Sequence, residues 1–524
     1  MAESLDIACI AVAVGLPFAA AALTIWLPYR AGAAVNTLTT AAVFGAVALL
    51  LVGVFREGAA AVAGGVGAGA VEWRLFELLP GVPIGFRVDA LGITFAALAS
   101  GLWLLVNVYN LGYIKADRLD HSRRYLASFA ASIGSALGVA LAGNLLTFLL
   151  FYELLTLATF PLVVHKQTEE AMAAGRRYLL FALSGGLALT LGAVWAWSLT
   201  GTLEFSPGGF MSPQTPGPIL LAIFGLLLAG CAVKSAIMPL HSWLPAAMVA
   251  PSPVSALLHA VAVVKAGVFG CMRMLGFVFG PESLGGSIGP AVLTALCATT
   301  IVVGSVIAVR QQNLKRRLAY STIVHLSYIV LGAGLLTPLG TTGALFHLVN
   351  HGLCKITLFL CAGAIYATWH FDSVDQLKGL AKRMPWTAFA FTVASLGLIG
   401  MPGLCGFVSK VFLVRGAWQA DEIAYLSIML GGSVFTAAYL LPIVRAAYFD
   451  APEPAAHHDA HAAGRDVDHA SDATHEPGEA VPSLVVPLLG TAALVAVFGL
   501  APIALNHQHE LAAFMVQAIY GVAP

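Results

Sequence analysis

Residues 145–160 read LLTFLLFYELLTLATF, a run in which a single charge, Glu153, stands among apolar and hydroxyl side chains. With its flanks the run covers 144–164, close to the roughly 20 residues a helix needs to cross a bilayer core. Runs of the same kind recur at 5–27, 32–55, 90–113, 125–142, 175–200, 217–247, 252–279, 288–309, 319–337, 341–367, 386–415, 425–449 and 481–503. Barrel strands alternate in polarity and are about half as long, so continuous runs predict helices. The expected fold is an all-α polytopic membrane protein of about fourteen transmembrane helices.

Composition agrees. Of 524 residues, 59% are hydrophobic and 10% charged, against roughly 25% charged in soluble domains. Lipid must therefore cover most of the surface. Zero net charge gives no footing for nucleic acid. The seven cysteines are scattered through apolar segments without a C-x-x-C, which leaves a disulfide framework, iron–sulfur ligation and covalent haem unsupported. No flavin, quinone or metal motif occurs, so no cofactor is expected on this chain. Met1 to Asp6 holds two acids and no base, unlike a cleaved leader, so the first run is expected to be retained.

Lysine and arginine in loops set orientation. Loops after odd-numbered spans hold Arg30, Lys115, Arg118, Arg123, Arg124, Lys166, Arg176, Arg177, Arg310, Lys315, Arg316, Arg317, Lys378, Lys382, Arg383 and Arg465; loops after even-numbered spans hold only Arg56, Arg74 and Arg87. The odd loops are expected in the cytoplasm and both termini outside the inner membrane. Arg273, Arg415 and Arg445 fall near span ends, where a long side chain can snorkel to the interface.

Glu153 is the one acid well inside a span, and four lysines lie deep: Lys234, Lys265, Lys355 and Lys410. An intramembrane charge costs at least about 3 kcal/mol, so these groups must face the protein interior. A buried lysine can shed and regain a proton near neutral pH, whereas arginine stays charged. Four lysines and one acid cannot all be ion-paired. Five histidines lie in spans: His241, His259, His325, His347 and His351. His347, His351 and Lys355 are spaced i, i+4, i+8 and share a helix face, with neighbours about 6 Å apart, as a water-assisted proton relay requires. A metal site is the competing reading of paired histidines, but no nearby acid completes it. His259 and Lys265 fall on different faces.

Two spans are interrupted. Pro239 and Pro245 break the seventh in MPLHSWLP, and Pro402 breaks the twelfth in GMPGLCGF. Proline frees a helix carbonyl, which a membrane tolerates only where the backbone is buried in protein or lines a cavity. The breaks lie five spans apart, each beside a lysine, so spans 4–8 (125–279) and 9–13 (288–449) read as inverted repeats around a mid-membrane path. Spans 1–3 with the loop 56–89 form an N-terminal unit (1–113), and 481–524 holds span 14 and a short interfacial helix. Residues 450–480, with His457, His458, His461, His469 and His475, are polar, acidic and proline-bearing; a disordered cytoplasmic loop is expected, with weak Zn²⁺ or Ni²⁺ binding as the competing reading.

The stretch AVKSAIMPLHSWLPAAMVAPSPVSALLHAVAVVKAGV (232–268) resembles the signature of the antiporter-like subunits shared by respiratory complex I, membrane-bound hydrogenases and Mrp-type Na⁺/H⁺ antiporters. LLFYEL, LFHLVNHGLCKITLFLCAG and GLIGMPGLCGFVSKVFL fit the same family in order and spacing, over roughly residues 85–450. The chain is most similar to the D-type Mrp subunits or the shorter complex I subunits. The resemblance implies that Glu153 pairs with Lys234, that Lys265 and His351 form a central relay, and that Lys410 ends it; the family places lysine or glutamate at that last position. It also implies partner membrane subunits, and H⁺ as the transported ion with Na⁺ left open. A pumping subunit of a redox complex and an energising subunit for inorganic-carbon uptake are the alternatives.

Overall fold

The computed structural model describes residues 2–62, 71–79, 81–452 and 478–521; the histidine-rich segment 457–475 lies outside them. The chain opens with α1 (Ala2–Trp26) and α2 (Tyr29–Val62), then strands β1 (Glu72–Leu79) and β2 (Val82–Arg87). There follow α3 (Ala90–Ala116), α4 (Ser122–Ala140), α5 (Leu145–Val163), α6 (Glu169–Thr200), α7 (Gly217–Lys234), α8 (Trp243–Ala246), α9 (Ser252–Ala260), α10 (Val263–Arg273) and α11 (Gly280–Leu284). Then come α12 (Ile288–Arg310), α13 (Leu314–Gly334), α14 (Pro338–Trp369), α15 (Leu380–Arg383), α16 (Pro385–Ile399), α17 (Cys405–Gln419), α18 (Ile423–Phe449), α19 (Pro482–Leu500) and α20 (Pro502–Tyr520).

The protein is a helical multi-pass membrane protein. Eleven of the described helical segments are long and apolar enough to cross a bilayer. The remaining expected spans fall on α4, α13 and the α16–α17 pair. Helix α13 starts with Lys315, Arg316 and Arg317 and is buried along nearly all its length, so its lower hydropathy reflects protein neighbours rather than lipid.

Two segments run through the middle of the bundle. In Ser252–Leu284 and Pro338–Trp369 every residue of the most apolar window is buried, against 33% in Tyr29–Arg56 and Ile423–Phe449. Helix α14 touches α3, α9, α13, α16, α17, α19 and α20. These central segments carry Lys265, His347, His351 and Lys355, so the charges sit where neighbouring helices can solvate them.

Both expected breaks are present. Helix α7 stops at Lys234, and Ala236 takes φ 54°, a left-handed conformation sparsely populated by residues with a Cβ. Helix α16 stops at Ile399, Gly400 takes φ 96°, and α17 resumes at Cys405. A third break, between α9 and α10, has no signal in the sequence. There the amides of Val261 and Ala262 both donate to Leu257 O, at 3.1 and 2.9 Å, and the helical ladder slips by a residue. Met274–Phe279 then forms a π-helix, a rare geometry frequent at functional sites.

Three expectations change. The loop 56–89 is partly ordered: α2 runs on to Val62, and residues 72–87 form an antiparallel hairpin with Glu72 opposite Arg87. The hairpin closes over the α4–α5 turn through Asn144 Nδ2 to Pro83 O (2.7 Å) and Gly143 N to Gly85 O (2.9 Å). Burial raises the Glu72 carboxyl, but hydrogen bonds and charge from Arg87 and Arg74 outweigh it and hold the group below the usual carboxylate range. Second, Arg273 does not snorkel. It is fully buried, forms a two-point ion pair with Asp89 (Nη2 to Oδ1 2.8 Å), and lies among the rings of Phe205, Phe269 and Phe277. Asp89 also accepts from Gly92 N at the start of α3, so one carboxylate caps a helix and neutralises the guanidinium. Third, the C-terminal helix α20 lays its apolar face on protein: Leu511, Ala512, Met515 and Val516 are buried.

Candidate functional site

The four deep lysines share one solution to burial. Lys234, Lys265, Lys355 and Lys410 are 1%, 0%, 0% and 8% exposed, and each donates to a backbone carbonyl. Lys234 donates to Tyr152 O, Lys265 to Leu348 O (2.7 Å), Lys355 to Leu318 O (2.9 Å) and Lys410 to Ile399 O (2.8 Å). Among the described residues none of the four has a carboxylate within 4.0 Å. A carbonyl accepts from an ammonium and from a neutral amine alike, so these sites hold the side chain in either protonation state. Ile399 O is the acceptor freed where α16 breaks, which explains why the break and Lys410 lie together.

The expected Glu153–Lys234 ion pair is not formed in this structure. Lys234 is drawn instead to Tyr152, with Nζ 3.4 Å from the ring centroid; a desolvated cation–π contact is worth about 2 kcal/mol. The Tyr152 hydroxyl donates to Gly230 O (3.1 Å), so Tyr152 ties α5 to the last turns of α7. Glu153 is half-buried, and its Oε1 has no hydrogen-bond partner among the described residues. Gly186 on α6 makes room for it: a Cβ there would lie 2.4 Å from Glu153 Oε1. Glu153 and Lys234 thus meet the same turn of α5 without touching.

The central groups do come together. Lys265 Nζ lies 2.9 Å from His351 Nδ1. The His351 ring lies 5.6 Å from that of His325, and His325 Nδ1 is 3.0 Å from His347 Nε2. His347 Nδ1 is 2.9 Å from Ser409 Oγ, next in sequence to Lys410. The His347 and His351 rings are 6.1 Å apart, the spacing expected of an i, i+4 pair. Lys410 Nζ donates to Ser433 Oγ (2.9 Å), and Thr436, one turn along α18, reaches His325 Nε2 at 3.4 Å. Tyr328 stacks on His325 at 5.4 Å and lies under Lys410 at 5.7 Å. All these histidines are buried to 1% exposure or less.

Three expected residues stand apart. Lys355 shares a helix with His351 but reaches across to α13, so the expected i+8 step ends on a carbonyl. His259 is fully buried, stacks on Phe359 at 4.5 Å, and has no partner for either ring nitrogen among the described residues. His241 is half-buried in the seventh-span break, 6.2 Å from the Tyr320 ring. Nothing in the sequence singles out Tyr152, Tyr328, Ser409, Ser433 and Thr436. Each is an uncharged polar residue whose position relative to a charge only the fold supplies. Asp89, at a span end, gave no sign of its partner 184 residues away.

Residues 142–436 match the family described as NADH:quinone oxidoreductase/Mrp antiporter, TM. The chain belongs to this family. It is 34% identical over 399 residues to the A/B polypeptide of a probable K(+)/H(+) antiporter of Rhizobium meliloti, a match covering 73% of this chain and 38% of that one. It is 31% identical over 396 residues to the N polypeptide of NADH-quinone oxidoreductase of Desulforudis audaxviator, covering 73% and 77%. A chain of the Mrp complex from Dietzia sp. has the same fold, with a TM-score of 0.81 at 23% identity over 98% of this chain and 97% of that one. This antiporter-type membrane protein thus spans well under half the length of its Rhizobium relative and most of its Desulforudis relative.

Proposed function

We propose that the chain translocates protons within a complex of several membrane subunits, through a path from Glu153 and Lys234 to Lys265, His351, His325, His347 and Lys410. The observation that carries this reading is the run of contacts from Lys265 through three histidines to Ser409, beside Lys410, in the most buried part of the bundle. A neutral imidazole has one donor and one acceptor nitrogen, so it can take a proton at one and release it at the other. Three links are hydrogen-bonded at 3.0 Å or shorter, within proton-transfer reach. The step from His351 to His325 is a ring contact at 5.6 Å, with His351 Nε2 unpartnered among the described residues, a gap that one bridging water spans.

A proton held on Lys234 moves to Lys265 and leaves Lys234 neutral at the Tyr152 carbonyl. Lys265 passes it to His351 Nδ1, the histidine cluster carries it to Lys410, and Lys410 discharges it across the membrane. Glu153, with a free oxygen beside Lys234, favours return of a proton to that amine by Coulomb attraction. The two breaks, each next to a lysine, support a path shared by two inverted halves, 125–279 and 288–449. The excess of lysine and arginine in odd loops supports cytoplasmic placement of those loops.

The partner subunits set the driving process. One relative is named for K(+)/H(+) antiport and another for NADH-quinone oxidoreduction, and the internal lysine–histidine chemistry suits either. The test is proton transport in vesicles carrying the assembled complex with Lys234→Ala or Glu153→Ala. Loss of transport at normal assembly is the expected result; full transport in both variants overturns the path.

A further inference from the structure

Among the described side chains of α20, one polar group stands on an otherwise apolar buried face. Gln508 is 7% exposed and stands in line with Leu511, Ala512 and Met515, at helical i, i+3, i+4, i+7 spacing. An apolar residue there would suit docking better, since burying an amide without full hydrogen bonding is unfavourable. Gln508 Nε2 reaches Asn350 Oδ1 at 3.4 Å, and its Oε1 has no partner among the described residues. Asn350 is fully buried on α14, between His347 and His351 in sequence. Its amide donates to Cys405 O at 2.8 Å, the first residue past the break beside Lys410. Asn350 and Gln508 thus form a polar pair that ties α20 to the turn of α14 carrying His347 and His351 and to the first residue of α17.

The other face of α20 is titratable. His507 and Glu510 are 55% and 50% exposed and form a 3.2 Å pair. His509 is exposed and lies 6.2 Å from the Phe412 ring of α17. The helix is pinned at its far end by Tyr520, whose hydroxyl is 2.8 Å from Thr341 Oγ1 at the start of α14. The loop charge count puts this end of α14 outside.

We infer that α20 is a lid on the outward mouth of the proton path, and that Gln508 with Asn350 forms the gate through which protons leave. The inference rests on the proposed relay. The amides do not themselves titrate. The free Oε1 of Gln508 and the carbonyl of Asn350 hold a water that takes the proton from the Lys410–His347 region and hands it to His507, His509 and Glu510.

The test is proton transport in vesicles containing the whole complex, with assembly quantified in the same membranes. Gln508→Leu keeps the shape and improves the apolar docking, so a purely structural role predicts a wild-type rate. The gate predicts at least a ten-fold loss with normal assembly, and recovery of at least half the rate in Gln508→Glu, which restores an acceptor oxygen. Gln508→Met takes the place of the leucine variant if that one does not assemble. Lys410→Ala separates the two levels. If Lys410→Ala is inactive while Gln508→Leu runs within two-fold of wild type, the gate is overturned and the relay stands. If Lys410→Ala is itself fully active, the relay falls and takes the gate with it.

Discussion

Substituting Gly343 tests how tightly the path depends on the approach of two helices. Gly343 lies on α14 one turn before His347, and faces Leu413, one turn after Ser409 on α17. A Cβ at 343 would stand 2.6 Å from Leu413 N and 3.0 Å from its Cα. Favourable non-bonded contact begins near 3.5 Å, and the obstacle is backbone, so α17 must retreat by about 1 Å. The same retreat stretches the His347–Ser409 bond from 2.9 Å to almost 4 Å, beyond hydrogen-bond range. Overpacking costs roughly 1–3 kcal/mol, partly offset by the ~1 kcal/mol better helix propensity of alanine, so the protein should still assemble. A barrier raised by ~1.4 kcal/mol slows transport about ten-fold. The assay is dye-monitored acidification of vesicles carrying the complex with Gly343→Ala, beside Gly15→Ala, where nothing lies within 4 Å of the new methyl. Equal, wild-type transport in both variants would refute the claim that His347 and Ser409 must touch.

Other outcomes follow from the same geometry. Lys265→Arg keeps a donor for Leu348 O but cannot release a proton, so assembly should persist while transport is lost; an active variant would show that Lys265 does not titrate during transport. Asp89→Ala leaves the Arg273 charge buried without its carboxylate, at a cost of roughly 3–5 kcal/mol. The assembled complex should become scarce in membranes, and the added change Arg273→Met should restore it. Burial and the nearby Arg124 guanidinium push the His165 ring down to about 4 from 6.5, so the fold favours the neutral ring. That stability is complete above pH 6.5 and is lost as pH falls toward 4. In His165→Gln the decline in thermal unfolding midpoint of the purified complex over that window should be shallower.

The fold could be read from sequence because lipid imposes a simple rule: apolar runs of fixed length, interrupted only with cause. Pro239 and Pro402 marked two breaks correctly. The α9–α10 break is invisible in the sequence because HAVAVVKAG contains no proline, and the slip of one amide bond shows only in the folded helix, where α9 packs on α14. The hairpin was hidden because EWRLFELL does not alternate cleanly and its pairing depends on the α4–α5 turn. Within the site, charged and imidazole residues announced themselves by their cost in an apolar run. Their partners did not, because a carbonyl such as Tyr152 O or Ile399 O belongs to every residue and becomes an acceptor only once a neighbouring helix supplies the lysine. The separation of Glu153 from Lys234 has the same origin, since ring and carbonyl together compete with a carboxylate for one ammonium group.

His351 is the only described link between Lys265 and the other histidines, so it tests the path most directly. The measurement is proton flux, followed by a lumenal pH dye, in proteoliposomes reconstituted with the purified complex carrying His351→Leu. A continuous relay predicts no flux above protein-free vesicles, with all subunits present. Flux at the wild-type rate would contradict it, because no proton could then be travelling from Lys265 through the histidines to Lys410.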